Sequence, residues 1–239
     1  MGQRVFGLCR AVNGSNALEP IFAYVRAGRG LNLFLDYDGT LVPIGRGPDD
    51  LHVEPALLAL LTALARCPLT PTTVLSARPL AALETLFAIP ELNLAGIYGL
   101  EIRLNGERLT RGAPLSRVRP TLEQLQARSA AAGWLYLKDF LLLGGDDYLE
   151  VAPGGANKGQ AVTWLLNHTR RPNLLPVVFG DDDNDDQAFA VVQRHGGFAV
   201  GVGDRFTLPH ATARVESPQM VRQSLQGLLA EAQRSAASG

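Results

Sequence analysis

Apolar residues along this chain gather in short unbroken runs that stop abruptly at acids or hydroxyls, and each run is followed by a stretch in which apolar positions recur at helical spacing. Leu31, Leu33, Phe34 and Leu35 lead into Asp36-Tyr37-Asp38-Gly39-Thr40, which predicts a buried strand opening into a polar loop. Over residues 54–66, Leu57, Leu58, Leu60, Leu61 and Leu64 keep one helical face, and Pro55 suits the first turn. The order repeats when Thr72-Thr73-Val74-Leu75 ends in Ser76-Ala77-Arg78 and a helical pattern runs from Pro79 through Phe87. It repeats again when Val177-Val178-Phe179 ends in Gly180 and a run of acids, before a helix carrying Ala188, Phe189, Val191 and Val192. A last helix is expected from Ser217, with Pro218 in its first turn and Val221, Leu225, Leu228 and Leu229 on its buried face, fraying beyond Arg234. Residues 1–30 allow one short amphipathic helix.

Strands alternating with helices imply an α/β fold, a Rossmann-like and mostly parallel sheet covered on both faces, whose polar loops converge outside the C-terminal strand edge. The segment 98–153 breaks the rhythm. Strand patterns at 97–103 and 107–110 flank the hairpin signal Asn105-Gly106, a helical pattern covers 115–132, and strand-like pieces fall at 134–137 and 148–151. The expected organisation is a core of 1–97 and 154–239 with a small α+β cap, 98–153, inserted into it.

Composition narrows the partners. With 22 basic against 23 acidic residues and a net charge of -1, the chain has no general field to attract nucleic acid or an anionic membrane. Its two cysteines, Cys9 and Cys67, lack zinc-site spacing and fit a reducing cytoplasm. The opening MGQRVFGLCRAVNGSNALEP has no signal-peptide core, no lipidation signal is evident, and no apolar run is long enough to span a bilayer, so a cytoplasmic location is expected.

The chemistry gathers at the predicted strand ends. Asp36 and Asp38, two apart in one loop, would repel each other strongly unless a cation lay between them or one held a proton. Mg²⁺ suits a few carboxylate and carbonyl oxygens, so Asp36 is read as a metal ligand that also attacks phosphorus. Asp38 would lend the metal its backbone carbonyl and keep its side chain for proton transfer. Gly39 and Thr40 would offer N–H groups to phosphoryl oxygens. Five acids crowd positions 181–186, and of these Asp181 is read as a direct metal ligand and Asp185 as an indirect one, while Asp183 and Asp186 are expected to face water. Asn157 and Gln160 have capping-box spacing, which places Lys158 in a first helical turn where the helix dipole disfavours a cation. Neutralising a phosphate and restraining Asp36 would account for it there. Ser76 at the next strand end can donate to a phosphoryl oxygen, and Arg78 beside it is a candidate substrate contact.

LFLDYDGTL around Asp36, VLSAR around Ser76, NKG around Lys158 and GDDDND around Asp181 together resemble, in order, the four motifs of the haloacid dehalogenase superfamily. LDYDGTLVPI, GLEIR at 99–103, LEVAP at 149–153 and NKGQAV are similar, within it, to trehalose-6-phosphate phosphatases. The resemblance implies Asp36 as nucleophile, Asp38 as general acid and base, Ser76 and Lys158 as phosphate ligands, Asp181 as metal ligand, and a cap between the second and third motifs. Ala77 stands where the family has glycine in its second motif, Ala152 where it has arginine before the cap's proline, and Asn184-Asp185-Asp186-Gln187 where it has Thr-Asp-Glu-Asp.

The function these readings imply is Mg²⁺-dependent hydrolysis of a sugar phosphate, trehalose 6-phosphate foremost, through an aspartyl-phosphate. The same core also suits a phosphatase of mannosyl- or glucosyl-3-phosphoglycerate or of sucrose phosphate, a phosphomutase, or a regulatory domain without catalysis. The cap is expected to choose among sugars. Glu101 and Arg103 are expected on opposite faces of their strand, so that only one looks into the site, with Glu150 and Lys138 as further contacts to sugar hydroxyls.

Overall fold

The structure is a computed structural model and describes residues 12–13, 17–44, 52–111, 120, 124, 140–144, 149–153, 156–169 and 171–237. Its elements run β1 (Val12–Asn13), α1 (Glu19–Arg26), β2 (Leu31–Asp36), α2 (Pro55–Arg66), β3 (Thr72–Leu75), α3 (Leu80–Leu86), β4 (Asn93–Gly96), a short 3-10 turn (Ile97–Gly99), β5 (Glu101–Leu104) and β6 (Glu107–Thr110). There follow β7 (Phe140–Gly144), β8 (Leu149–Pro153), α4 (Lys158–Thr169), β9 (Leu175–Gly180), α5 (Asp183–Arg194), β10 (Phe198–Val202), β11 (Ala213–Val215) and α6 (Pro218–Ala237). Nine strands form one sheet in the order β1-β11-β10-β9-β2-β3-β4-β5-β6, while β7 and β8 form a separate antiparallel pair.

The neighbours from β1 to β4 are parallel, and only the pairings β4–β5 and β5–β6 are antiparallel, with β5 the one reversed strand of this sheet. Side chains alternate faces along each strand. Leu33 and Leu35 of β2 and Val177 and Phe179 of β9 join a core with Ile21 of α1, Leu57 and Leu61 of α2, Leu83 of α3 and Leu225 of α6. Phe34 and Val178, from the same strands, join the opposite core with Val162 and Leu165 of α4 and Phe189 of α5. Leu35 is fully buried, so truncating it to alanine would cost about 3 kcal/mol. Because β2, β3 and β9 lie side by side, the loops after them open at one edge of the sheet.

Three differences from the sequence reading have physical causes. α6 does not fray at Arg234 but continues to Ala237, because Ala232 is buried and Ser235 Oγ donates to Val25 O of α1 at 3.0 Å. The strand expected over 97–103 begins only at Glu101. Ile97, Tyr98 and Gly99 instead take φ of 47°, 52° and 83°, since the chain must reverse from β4 into antiparallel β5. The hairpin formed around Asn105 (φ 51°) and Gly106 (φ 84°) has the positive angles its turn demands, but its strands extend the main sheet from β4. The strand expected at 148–151 is β8, and its partner β7 has no alternation to betray it. The helix expected at 115–132, apart from helical Pro120 and Gln124, and the strand at 134–137 lie outside the described residues. Among the described residues, no helix is long and apolar enough to cross a membrane.

Candidate active site

Asp36 is the last residue of β2 and is 5% exposed. The loop after it closes on itself, with Leu41 N–H and Val42 N–H both donating to Tyr37 O. Gly39 N–H, expected to face a phosphoryl oxygen, donates instead to Val42 O at 2.8 Å. Glycine is required there for another reason: φ is +96°, and a Cβ would lie 2.2 Å from Asp181 Oδ2. Thr40 is fully buried and its Oγ1 donates to Asp181 Oδ1 at 3.1 Å, tying the loop after β2 to the loop after β9.

Lys158 opens α4, where Asn157 Oδ1 caps the helix by accepting from Gln160 N–H at 2.9 Å. The lysine is 3% exposed, and its Nζ donates to Asp36 Oδ1 at 2.7 Å and to Asp185 Oδ1 at 2.6 Å, with Asp182 Oδ1 at 3.9 Å. These acids outweigh what the helix dipole and burial cost a cation at this position. Asp185 Oδ2 accepts from the N–H groups of Asp181 and Asp182 at 3.0 and 3.2 Å, so both of its oxygens are engaged. Gly180 leaves room for this, since a Cβ there would lie 2.2 Å from Asp185 Cγ.

Oxygens of Asp36, Asp181 and Asp185 lie within 4.8 Å of one another, and Asp36 Oδ2 is buried without a hydrogen-bond partner. Burial pushes the Asp36 carboxyl up to about 8, against the pull of Lys158 and with Asp181 and Asp182 adding to the rise. Asp181 is pushed up to about 7 by burial and Asp185, and Asp185 itself is raised, chiefly by burial. For Lys158, burial works against the charged form, but Asp185, Asp36 and Asp182 outweigh it and hold the ammonium protonated well above its usual range. One lysine therefore faces more negative charge than it can balance. A divalent cation fits the deficit, and the all-oxygen donor set suits a hard one.

Asp38 is placed differently. Arg78, 8% exposed, grips it with two parallel hydrogen bonds, Nε to Oδ2 at 2.8 Å and Nη2 to Oδ1 at 2.9 Å, and lies 5.4 Å from the centre of the Tyr37 ring. Arg78 N–H in turn donates to Ser76 Oγ at 3.1 Å. The left-handed turn after β4 locks this loop, for Ile97 N–H donates to Arg78 O and Tyr98 N–H to Ser76 O, both at 3.0 Å. A β-branched residue at positive φ is strained, and the strain sits beside the site. One cavity of ≈ 200 Å³ is lined by Asp36, Asp38, Ser76, Lys158, Asp181 and Asp182, with Ile44, Ala77, Tyr98, Arg205 and Phe206 completing it.

The family model described as trehalose-phosphatase matches residues 34–129 and 140–217, which take in every strand end that feeds the cavity. The chain belongs to the trehalose-phosphatase family. A relative from Escherichia coli (strain K12), named trehalose-6-phosphate phosphatase, is 28% identical over 203 residues, covering 71% of this chain and 76% of its own length. The solved C-terminal domain of a trehalose-6-phosphate phosphatase from C. albicans superposes with a TM-score of 0.73 at 20% identity, over 88% of this chain and 96% of that one. A haloacid dehalogenase-like hydrolase from Bacteroides thetaiotaomicron shares the fold at a TM-score of 0.58 and 14% identity, over 83% and 99% of the two chains.

In this member of the trehalose-phosphatase family two of the candidate sugar contacts, Glu101 and Arg103, bond to backbone groups of α3 and the segment after it. Glu101 and Arg103, two apart on β5, share a face rather than opposing each other, because side-chain direction repeats at every second residue of a strand. Glu101 Oε2 accepts from Leu80 N–H at 3.0 Å, and Arg103 Nη2 donates to Ile89 O and Leu92 O at 2.8 and 3.1 Å. Both hold α3 and the segment after it. Glu150 lies on β8 opposite Leu143, and Lys138 lies outside the described residues. Asp186, expected to face water, accepts from His210 N–H at 2.9 Å and meets the His210 ring at 2.6 Å. Arg205 and Phe206 carry no motif or periodicity that could have marked them.

Proposed function

We propose that this chain is a phosphoric monoester hydrolase that removes phosphate from a phosphorylated sugar, trehalose 6-phosphate first among them, through an aspartyl-phosphate on Asp36. The observation that carries the reading is the Asp36 carboxylate, held through Oδ1 by Lys158 while its buried Oδ2 is left without a partner. Lys158 restrains the rotation of the carboxylate, so Oδ2 is the oxygen aimed at phosphorus. As the bond from phosphorus to the sugar oxygen breaks, Asp38 protonates that oxygen. It then takes a proton from the water that attacks the aspartyl-phosphate, returning Asp36 as a carboxylate. To do so Asp38 must enter the cycle in its acid form, with one oxygen released from Arg78, and the proton taken from water restores that form. Ser76 Oγ accepts from Arg78 N–H, which leaves its own proton to donate to a phosphoryl oxygen.

Asp36 and Asp181 are the residues that would hold Mg²⁺, together with the Asp38 carbonyl, while Asp185 keeps Lys158 in place. When bound, the ion neutralises phosphoryl charge and orients the phosphate. We assign sugar recognition in part to an inserted cap that follows the β5–β6 hairpin and includes β7 and β8, with Glu150 and Lys138 as its candidate contacts. Support for trehalose 6-phosphate over other sugars comes from the family match and from the name of the Escherichia coli relative.

The test is phosphate release from trehalose 6-phosphate, glucose 6-phosphate, sucrose 6-phosphate and a glycosyl-3-phosphoglycerate, with Mg²⁺ and with excess chelator. The expected result is the highest kcat/KM on trehalose 6-phosphate and none with chelator. An isomeric sugar phosphate as product, or full activity in chelator, would overturn the proposal.

A further inference from the structure

The floor of the cavity is charged, but much of its rim is not. Ile44 from the loop after β2, Tyr98 from the left-handed turn and Phe206 from the β10–β11 connection border it, together with Arg205. Ile44 is 55% exposed and is the one exposed large hydrophobic residue among those described. Tyr98 is buried and Phe206 half-buried, so the apolar side of the cavity is open at Ile44 and at part of Phe206.

The segment bearing Arg205 and Phe206 is fixed at several points, although it lacks regular structure. Arg214 of β11 donates to Gly203 O and, at 3.3 Å, to Phe206 O. Further on, Asp186 of α5 holds His210, and Gln193 Nε2 of the same helix donates to His210 O at 2.7 Å. The Arg205 guanidinium lies 5.1 Å from the centre of the Phe206 ring, and Asp204 and Arg205 are both exposed. The result is a positioned aromatic residue beside a guanidinium, with Phe206 half-buried against the core that Phe189 and Val162 share.

We infer that Arg205 and Phe206 form a core-side subsite for the glycosyl group of the substrate, with Phe206 packing on the apolar C–H face of a sugar ring and Arg205 donating to its hydroxyls. This rests on the reading of the chain as a sugar-phosphate phosphatase and adds a determinant outside the inserted cap. Once the phosphate sits over Asp36, whatever it esterifies must leave through this rim, and a carbohydrate has both the apolar faces and the acceptors the rim can use.

The experiment compares kcat/KM for trehalose 6-phosphate and for acetyl phosphate, which has no ring to place on Phe206, in wild type, Phe206→Ala and Arg205→Ala. Phe206→Ala should lower kcat/KM for trehalose 6-phosphate about tenfold, mainly through KM, while acetyl phosphate loses far less. Arg205→Ala, at an exposed position where folding is not at risk, should shift the same ratio in the same direction by about threefold or more. Unchanged ratios in both variants, with wild type active on the sugar phosphate, would overturn the subsite alone. Equal losses on both substrates would also overturn it, by assigning these residues to the phosphate. If wild type hydrolyses acetyl phosphate but no phosphorylated sugar, the functional reading itself falls and the subsite with it.

Discussion

Two carboxylates two residues apart are each held by a cation here, and the difference between the pairs is instructive. Asp36 meets Lys158 through one oxygen, in a buried setting where Asp185 shares the same ammonium. Asp38, with a side chain 37% exposed, meets Arg78 through both oxygens. A point-like ammonium can fix one oxygen and leave the other aimed outward, whereas a planar guanidinium engages the whole carboxylate. The first arrangement suits a nucleophile that must stay still. The second suits a proton carrier that waits in a defined place and is released when a leaving oxygen competes for it.

The most severe way to break the comparison is to remove the attacking oxygen. Asp36→Asn keeps the size of the side chain, and turnover on every phosphate ester should vanish while thermal unfolding shows a folded protein. Next is Lys158→Met, which leaves Asp36 and Asp185 buried without their shared cation. It should cost about 3 kcal/mol of stability in urea unfolding near neutral pH and lower kcat at least about a hundredfold. A stable, active Lys158→Met protein would mean the lysine is not what holds Asp36.

Asp38→Asn should lower kcat/KM for trehalose 6-phosphate about a hundredfold and p-nitrophenyl phosphate much less, because a nitrophenolate leaves without a proton. Arg78→Lys, which cannot make the two-point grip, should show the same selectivity at about tenfold. A rise in KM with unchanged kcat would instead mark Arg78 as a substrate contact.

The smallest effect sharpens the contrast without mutation. Carboxyls whose folded values lie above the ordinary 3.8 contribute fully below that value, and the contribution is lost as pH rises from there to about 7 for Asp181 and about 8 for Asp36. Metal-free protein should therefore lose stability across this window, and Mg²⁺, by taking the place of the protons, should restore it. The gain in Tm on adding Mg²⁺ is expected to grow from about pH 6 to about pH 9, reaching a few degrees. An equal gain at all pH values would show that these acids are not what binds the ion.

The amino-acid sequence by itself determined the repeated strand, loop and helix, and with them the place of Asp36, Ser76, Lys158 and Asp181, because a parallel sheet must bring the ends of neighbouring strands to one edge. The restraint of Asp36 by Lys158 was also legible there, but only the tertiary structure decided that Asp185 shares that lysine and that Arg78 takes Asp38. Arg78 reaches Asp38 across 40 positions, and Lys158 reaches Asp36 across 122. It also decided that Glu101 and Arg103 serve α3, since their surroundings follow from the register of β5 on β4. The positive φ angles at Ile97 and Tyr98 run against the preference of both residues and come from the N–H groups that Ser76 O and Arg78 O capture there. Arg205 and Phe206 stand at the site because Arg214, Asp186 and Gln193 hold a connection whose residues have no local preference for that path. Local pattern reaches as far as one strand and one helix; the partners of a charged side chain depend on contacts made long after the pattern ends.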